Sequence, residues 1–329
     1  MKRWLFIFCL KGLALFSLTL QEKFEAGVEG SYIVTEQNEV VTLLHLHSKN
    51  KERLLFEEVS LPLHLSKSIE WKTYLQNGAP GATSWILYEI DLANKRATEC
   101  YSLTRKAWLS TDEMNSFFIP LLSLDLKFLS IDERMQKGAS SRPGSIGSDP
   151  WGPPQIKEGK KVSGPSYDVY TAQWPRDATE LSGKQLVLYF DQAEETFPFP
   201  YWLQARDGAL KFKVRAIDSG QGMVSPNKDI PKRPPTFSSA LHKENGKLYL
   251  TLNAPTYYDS LSLYAVDLST NPKITHSLSF EAKRHEEQLT LLVDEEKLDH
   301  LFTKGHNYLW IVADENQNAT VEAPFIYTY

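Results

Sequence analysis

The sequence predicts a mainly β protein, in which a curved antiparallel sheet with a few short helices is followed by a β-sandwich. Three observations carry that expectation. Short runs alternating apolar and polar residues recur from Tyr32 to the C-terminus, the period-two signature of half-buried strands. A Gly/Pro-rich stretch at 219–235, SGQGMVSPNKDIPKRPP, breaks the runs into two sets and reads as a domain boundary. Beyond it the strands become evenly spaced, about seven in roughly 100 residues, as sandwiches require. With 329 residues, 42% hydrophobic and 12% aromatic, the chain can fill two cores.

Residues 1–20, MKRWLFIFCLKGLALFSLTL, have a basic start and two short apolar runs interrupted by Lys11-Gly12. They predict an export signal, with an uncleaved anchor as the alternative. Each run is well short of the ~20 residues that span a bilayer. Without the signal, Cys100 is the only cysteine, so no intramolecular disulfide forms. It is expected as a small buried hydrophobe on a strand.

Residues 21–235 make the first domain. Across 24–62, GSYIVTE, EVVTLLHLHS and ERLLFEEVSL predict an antiparallel meander. Val41, Leu43, His45 and His47 share a face. The His-x-His pair lacks a Cys or Asp/Glu cluster at zinc spacing, so no metal or cofactor is expected. Ser68 is expected to cap a short helix in which Trp71 meets Tyr74 and Leu75, ended by Asn77-Gly78. The next run, SWILYEIDLANKRATECYSL, predicts a hairpin with Ile86, Tyr88 and Ile90 on one face and Trp85 and Leu87 on the other. Ser110 and Glu113 form a capping-box pattern ahead of Met114, Phe117, Phe118 and Leu121, which lie at helical spacing, with Pro120 limiting the helix. LDLKFLSI then resumes strand character.

Residues 137–165 are rich in Gly, Pro and Ser and predict a long loop, either a linker or a flap. Trp151 within it favours docking. Gly144, Gly147 and Gly152 do not make a phosphate-binding loop, because no Gly-Lys-Ser/Thr and no strand-to-helix transition follows. YDVYTAQW and LVLYFD then lead into FPFPYWLQARDGALKFKVRAID, residues 197–218. Asp207-Gly208 suits a two-residue type I′ turn. That register sets Leu203 opposite Phe212 and Trp202 opposite Lys213, the latter suited to a cation–π contact. Tyr201, Leu203, Ala205, Leu210, Phe212 and Val214 share an oily face, predicted to turn inward against Met114, Phe117, Phe118 or Leu121. Trp202, Gln204, Arg206, Lys211, Lys213 and Arg215 make the basic face.

Residues 236–329 give KLYLTLNA, DSLSLYAVDL, ITHSLSFEA, QLTLLVD, HNYLWIVAD and ATVEAPFIYTY. Leu298 or Leu301, Lys304-Gly305 and Tyr308 opening YLWIVAD look like a tyrosine corner. On those residues the segment resembles a fibronectin type III or immunoglobulin-like module. Asn318-Ala319-Thr320 matches a glycosylation acceptor formally and reads as a chance match.

The net charge of -5 and pI near 6.0 exclude general nucleic-acid binding as an expectation. No G-x-S-x-G, H-E-x-x-H or Walker pattern is present, and an enzyme is not expected. Asp177, Glu180, Asp191, Glu194, Glu195 and Asp218 read as solvated loop carboxylates. The order of a hairpin (SWILYEIDLANKRATECYSL), a helix and PLLSLDL resembles the periplasmic lipoprotein carrier and sorting family over residues 24–235. That resemblance implies an incomplete barrel wrapped around helices, holding acyl chains in a hydrophobic cavity. The expected function is an exported bacterial envelope protein that binds lipid or lipoprotein acyl chains, with other envelope proteins as further partners. Its expected ligand-binding residues are Trp85, Met114, Phe117, Phe118, Trp151, Tyr201, Trp202, Leu203 and Phe212. The alternatives are a structural or adhesive envelope protein with a sandwich spacer, and a hydrolase of envelope polymers with a carboxylate pair in a cleft.

Overall fold

The structure is a computed structural model describing residues 18–137, 151–207, 210–238, 241–255, 258, 260–314 and 319–329. Most of the expected signal, the first half of the long loop, Gly208 and Asn318 lie outside the described residues. The architecture is mainly β, as expected, and divides into two compact units, the second beginning at Lys232.

The first unit opens with β1 (Leu18–Thr19) and helix α1 (Leu20–Ala26), then β2 (Tyr32–Gln37), β3 (Val40–Lys49) and β4 (Arg53–Pro62). Helix α2 (Trp71–Gln76), β5 (Ser84–Asp91), β6 (Arg96–Ser102), β7 (Ala107–Trp108) and helix α3 (Asp112–Leu122) follow. Then come β8 (Asp125–Phe128), helix α4 (Ile131–Lys137), and a small hairpin of β9 (Ile156–Lys157) and β10 (Lys160–Lys161). β11 (Tyr167–Gln173), β12 (Gln185–Asp191), β13 (Trp202–Asp207) and β14 (Leu210–Gly220) complete the unit. Twelve of these strands form one sheet in the order β1-β8-β11-β12-β13-β14-β2-β3-β4-β5-β6-β7, with each neighbouring pair antiparallel.

That sheet is rolled. β5 and β11 stand seven places apart in it, which in a flat sheet is about 34 Å at ~4.8 Å per strand. Yet three ring contacts through α3 connect them: Tyr88 to Phe118 at 5.2 Å, Phe118 to Phe117 at 5.9 Å, and Phe117 to Trp174, just past β11, at 5.3 Å. Helix α1 bridges the same gap, with Phe24 against Phe56 of β4 at 5.2 Å and the Lys23 ammonium over Phe190 of β12 at 5.1 Å. The sheet thus has an inner face around α1 and α3 and an outer face.

Helix α1 begins at Leu20, the last residue of the expected signal. Thr19 and Glu22 close a capping box, and Leu20 is 3% exposed in the core. Leu18 to Leu20, inside the expected 1–20 signal, are thus part of the folded unit. Helix α2 is capped by Glu70, which accepts from the Lys72 and Thr73 N–H groups, and not by Ser68. Helix α3 starts at Asp112 after an uncapped Thr111, with Ser110 bonded to Asp112. It runs through Pro120 to Leu122, since a proline in the last turn removes one helical hydrogen bond without forcing an earlier stop.

The long hairpin pairs Asp207 with Leu210, which the expected Asp207-Gly208 turn does not allow; residues 208–209 lie outside the described residues. Leu203 therefore faces Val214, and Trp202 faces Arg215. The pairing moved by two residues, an even shift that keeps the alternation of faces. The Lys213 ammonium still reaches the Trp202 ring diagonally, at 5.2 Å.

The second half of the long loop is docked. Trp151 packs edge-on against Trp202 and Tyr189 at 5.2 and 5.6 Å. Gly152 sits so close to the Tyr167 ring that a Cβ there would approach it to 2.9 Å. Residues 221–231 are likewise a strap on the outer face and not a free linker. Met223 is 3% exposed, and the Pro231 carbonyl accepts from Trp108 Nε1.

In the second unit, β15 (Thr236–Phe237), β16 (His242–Glu244), β17 (Lys247–Asn253), β20 (Glu281–His285) and β21 (Gln288–Asp294) form one sheet. β18 (Ser262–Asp267), β19 (Ile274–Leu278), β22 (Asn307–Asp314) and β23 (Ala319–Thr328) form the other, and both contribute to one core with Trp310 and Tyr308 at 0% exposure. The run ITHSLSFEA, read as one strand, is two: β19 and β20 lie in different sheets. The Tyr308 hydroxyl accepts from the Thr303 N–H at 2.7 Å, tying the strand to the backbone five residues upstream, as in a tyrosine corner.

Candidate binding site inside the rolled sheet

Antiparallel register sorts the inner face into rows that cross the strands. One row holds Leu46, Phe56, Tyr88 and Cys100, none more than 2% exposed. The next, toward the β2–β3 turn, holds Ile33, Leu44, Glu58, Ile86 and Ser102, in which Leu44, Glu58 and Ile86 are half-buried. The third is a collar of half-buried hydroxyls from Thr35, Thr42, Ser60 and Ser84, with Thr42 and Ser60 bonded at 3.2 Å. The roll is therefore dry and filled at one end and open at the other. Leu203 and Phe212 of the hairpin, and Met114, Phe118 and Leu121 of α3, are half-buried against the same core.

Glu58 sits at the boundary between the dry row and the hydroxyl collar. Among the described residues no hydrogen bond or ion pair reaches its carboxylate. Burial pushes its pKa up, with no neighbouring cation to oppose the shift. Its charge is felt by the next row. Burial first and then Glu58 raise the Tyr88 hydroxyl, and the same causes push the Cys100 thiol up to about 11. A thiol so placed is protonated and inert, as expected for a packing cysteine.

Beyond the collar, at the turn end of the roll, a cleft of about 560 Å³ is lined by Glu36, Glu180, Lys184, Phe212, Lys213 and Arg215 together with the β2–β3 turn. Glu36 is paired with Arg215. The cleft is polar apart from Phe212, which borders both it and the apolar end of the roll.

The nine expected ligand-binding residues do not converge on one surface. Met114, Phe118, Leu203 and Phe212 are all half-buried against the core of the first unit, Leu203 and Phe212 from the hairpin and Phe118 against Tyr88 of the dry row at 5.2 Å. Tyr201, just before β13, is sealed at 1% exposure, with its hydroxyl on Ser219 and its ring against Phe197 and Tyr167. Phe117 turns away, 38% exposed, onto Trp174. Trp85, Trp151 and Trp202 belong to the outer face. Trp85 donates to Glu57, and Trp202 is covered by Trp151. Leu210 was expected to turn inward with them; nothing of its side chain is described.

Glu58 was absent from the expected set, although FEEV carries the signal. Two successive carboxylates on a strand must face opposite sides, so a sheet covered on both faces has to bury one or both. The expected carboxylate pairings also sort differently. Asp191, read as a solvated loop residue, is 4% exposed and held by Lys157 and Gln155 at 2.7 Å each. No group of three or more His, Cys, Asp or Glu able to hold a metal occurs among the described residues. No helix among them is long and apolar enough to cross a membrane.

No curated protein matches the chain. A solved structure titled as the hypothetical protein CT021 from Chlamydia trachomatis is 18% identical, covering 66% of this chain and 98% of that one at a TM-score of 0.47. Residues 42–163, from β3 to the loop before β11, match a protein-family model described as CT021 protein, so this segment of the chain is similar to that family.

Proposed function

We propose that this is an exported, non-enzymatic binding protein of the bacterial cell envelope whose first unit takes an apolar chain, from a lipid or a lipoprotein, into the open end of its rolled sheet. One observation carries the reading. Leu44, Ile86, Leu203, Phe212, Met114 and Phe118 stay half-buried inside a structure that fully buries the row beside them. Each forgoes roughly 1 kcal/mol of burial, which an apolar ligand would recover. The roll around two helices is also the architecture that the resemblance to the lipoprotein carrier family leads one to expect. The basic and apolar residues ahead of Leu18 support export. The sandwich serves as a spacer or a protein-binding module.

The test is native mass spectrometry of the protein taken from its own envelope. The expected spectrum shows a bound lipid, lost in Leu203→Arg while the near-ultraviolet signature of the fold remains. A protein that carries no lipid and binds no fluorescent acyl probe overturns the reading.

A further inference from the structure

We propose that Glu58 makes the open end of the roll selective for an apolar chain bearing a cationic amine head, the carboxylate pairing with the ammonium beside Leu44 and Ile86. The inference rests on the preceding reading of this end as an apolar-chain site and adds the chemistry of the head.

A carboxylate is tolerated in apolar surroundings only with a partner, because desolvation of the charge is not otherwise offset. Its row neighbours Leu44 and Ile86 offer no donor, and the hydroxyls of Thr42 and Ser60 are engaged with each other. Four cations of the unit are engaged elsewhere. Arg53 pairs with Glu89, Arg215 with Glu36, and Lys213 lies over Trp202, all on the outer face. Lys23, on the inner face, lies across the roll over Tyr170 and Phe190, with Asp168 and Glu195 as its nearest charges. The missing partner must therefore come from outside the described residues, and the half-buried state of Glu58 leaves it reachable. A chain laid against Leu44 and Ile86 would bring its head to the row in which Glu58 stands, next to the hydroxyl collar. An anionic head would be repelled there, and a neutral one would gain only an ordinary hydrogen bond. An ammonium gains a charge-assisted one, roughly twice as strong.

The experiment compares decylamine, decanol and decanoate at neutral pH, below their aggregation concentrations, with the full chain and with Glu58→Gln, by displacement of a fluorescent apolar probe. The wild type should bind decylamine about tenfold or more tighter than decanol and decanoate weakest. Glu58→Gln should keep its decanol affinity within about twofold and lose the amine preference. Thermal melting of the variant checks that it is folded. Equal binding of amine and alcohol by the wild type, or an amine preference that survives in Glu58→Gln, overturns the inference and leaves the apolar-chain reading standing. If none of the three probes binds the wild type, the reading of the site fails and the inference falls with it.

Discussion

Glu57 and Glu58 are neighbours on one strand and live in opposite worlds. Glu57, on the outer face, is 0% exposed and accepts three hydrogen bonds, from Trp85 Nε1 at 2.8 Å, Ser225 Oγ at 2.8 Å and His45 Nδ1 at 3.0 Å. Glu58, on the inner face, is more open and has none among the described residues. The strap 221–231 supplies Ser225 to the outer face, while on the inner face the row neighbours of Glu58, Leu44 and Ile86, bring no donor. A buried carboxylate with its donors is architecture; one without them points to something that binds.

The largest expected effect comes from breaking the satisfied side. Glu57→Leu leaves His45, Trp85 and Ser225 without their acceptor in a dry site, and should cost about 3 to 5 kcal/mol in urea denaturation. Glu57→Gln keeps one acceptor oxygen and should cost less. A loss below about 1 kcal/mol for Glu57→Leu would mean the three donors find other partners, and the contrast between the faces would dissolve.

The next effect compares the two ends of the inner face. Phe56, 2% exposed among Phe24, Tyr88 and Phe199, should cost about 3 to 5 kcal/mol as Phe56→Ala. Phe212 is half-buried at the open end, and Phe212→Ala should cost only about 1 to 2 kcal/mol while reducing bound lipid. Equal losses from the two would show that the open end is packed core after all.

Much of the frame was legible because it depends on period. Strand alternation assigned the faces of β3, β5, β13 and β14 correctly, and an error of two in the hairpin register could not disturb them. The split into two sets of strands was marked by the Gly/Pro segment. What escaped reading depends on long-range contact. Helix α1 was hidden because Leu18 to Leu20 looked like the end of an export signal, although Thr19 and Glu22 already spelled a capping box. The strap could not be recognised, since Ser225 and Asn227 acquire meaning only on meeting Glu57 and His47 across the fold. The site was half legible. The helical stripe pointed to Met114 and Phe118, but aromatic content also drew in Trp85, Trp151 and Trp202, whose partners on the other face no local pattern reveals.

The smallest effect is the sharpest in sign, because the buried Asp191 and the half-buried Glu58 should respond to pH in opposite directions. Burial alone would raise Asp191, but Lys157, the Ala193 N–H and Gln155 outweigh it and hold its pKa below the usual 3.8. Its stabilising contribution is therefore present above the ordinary carboxyl range and lost as pH falls through its folded value. Asp191→Asn should weaken the protein at neutral pH and matter little in acid. Glu58 is raised above its usual 4.5 by burial, so the folded state disfavours its charge. Below the ordinary value the acid is neutral whether folded or unfolded. As pH rises through the folded value, the native state loses stability that a neutral side chain would retain. Glu58→Gln should thus be stabilising at neutral pH, on the order of 1 kcal/mol or less, with the gain vanishing in acid. Melting curves of both variants between acid and neutral pH check this. A Glu58→Gln protein destabilised at neutral pH would reveal a partner for the carboxylate within the chain, and would remove the asymmetry between the two faces.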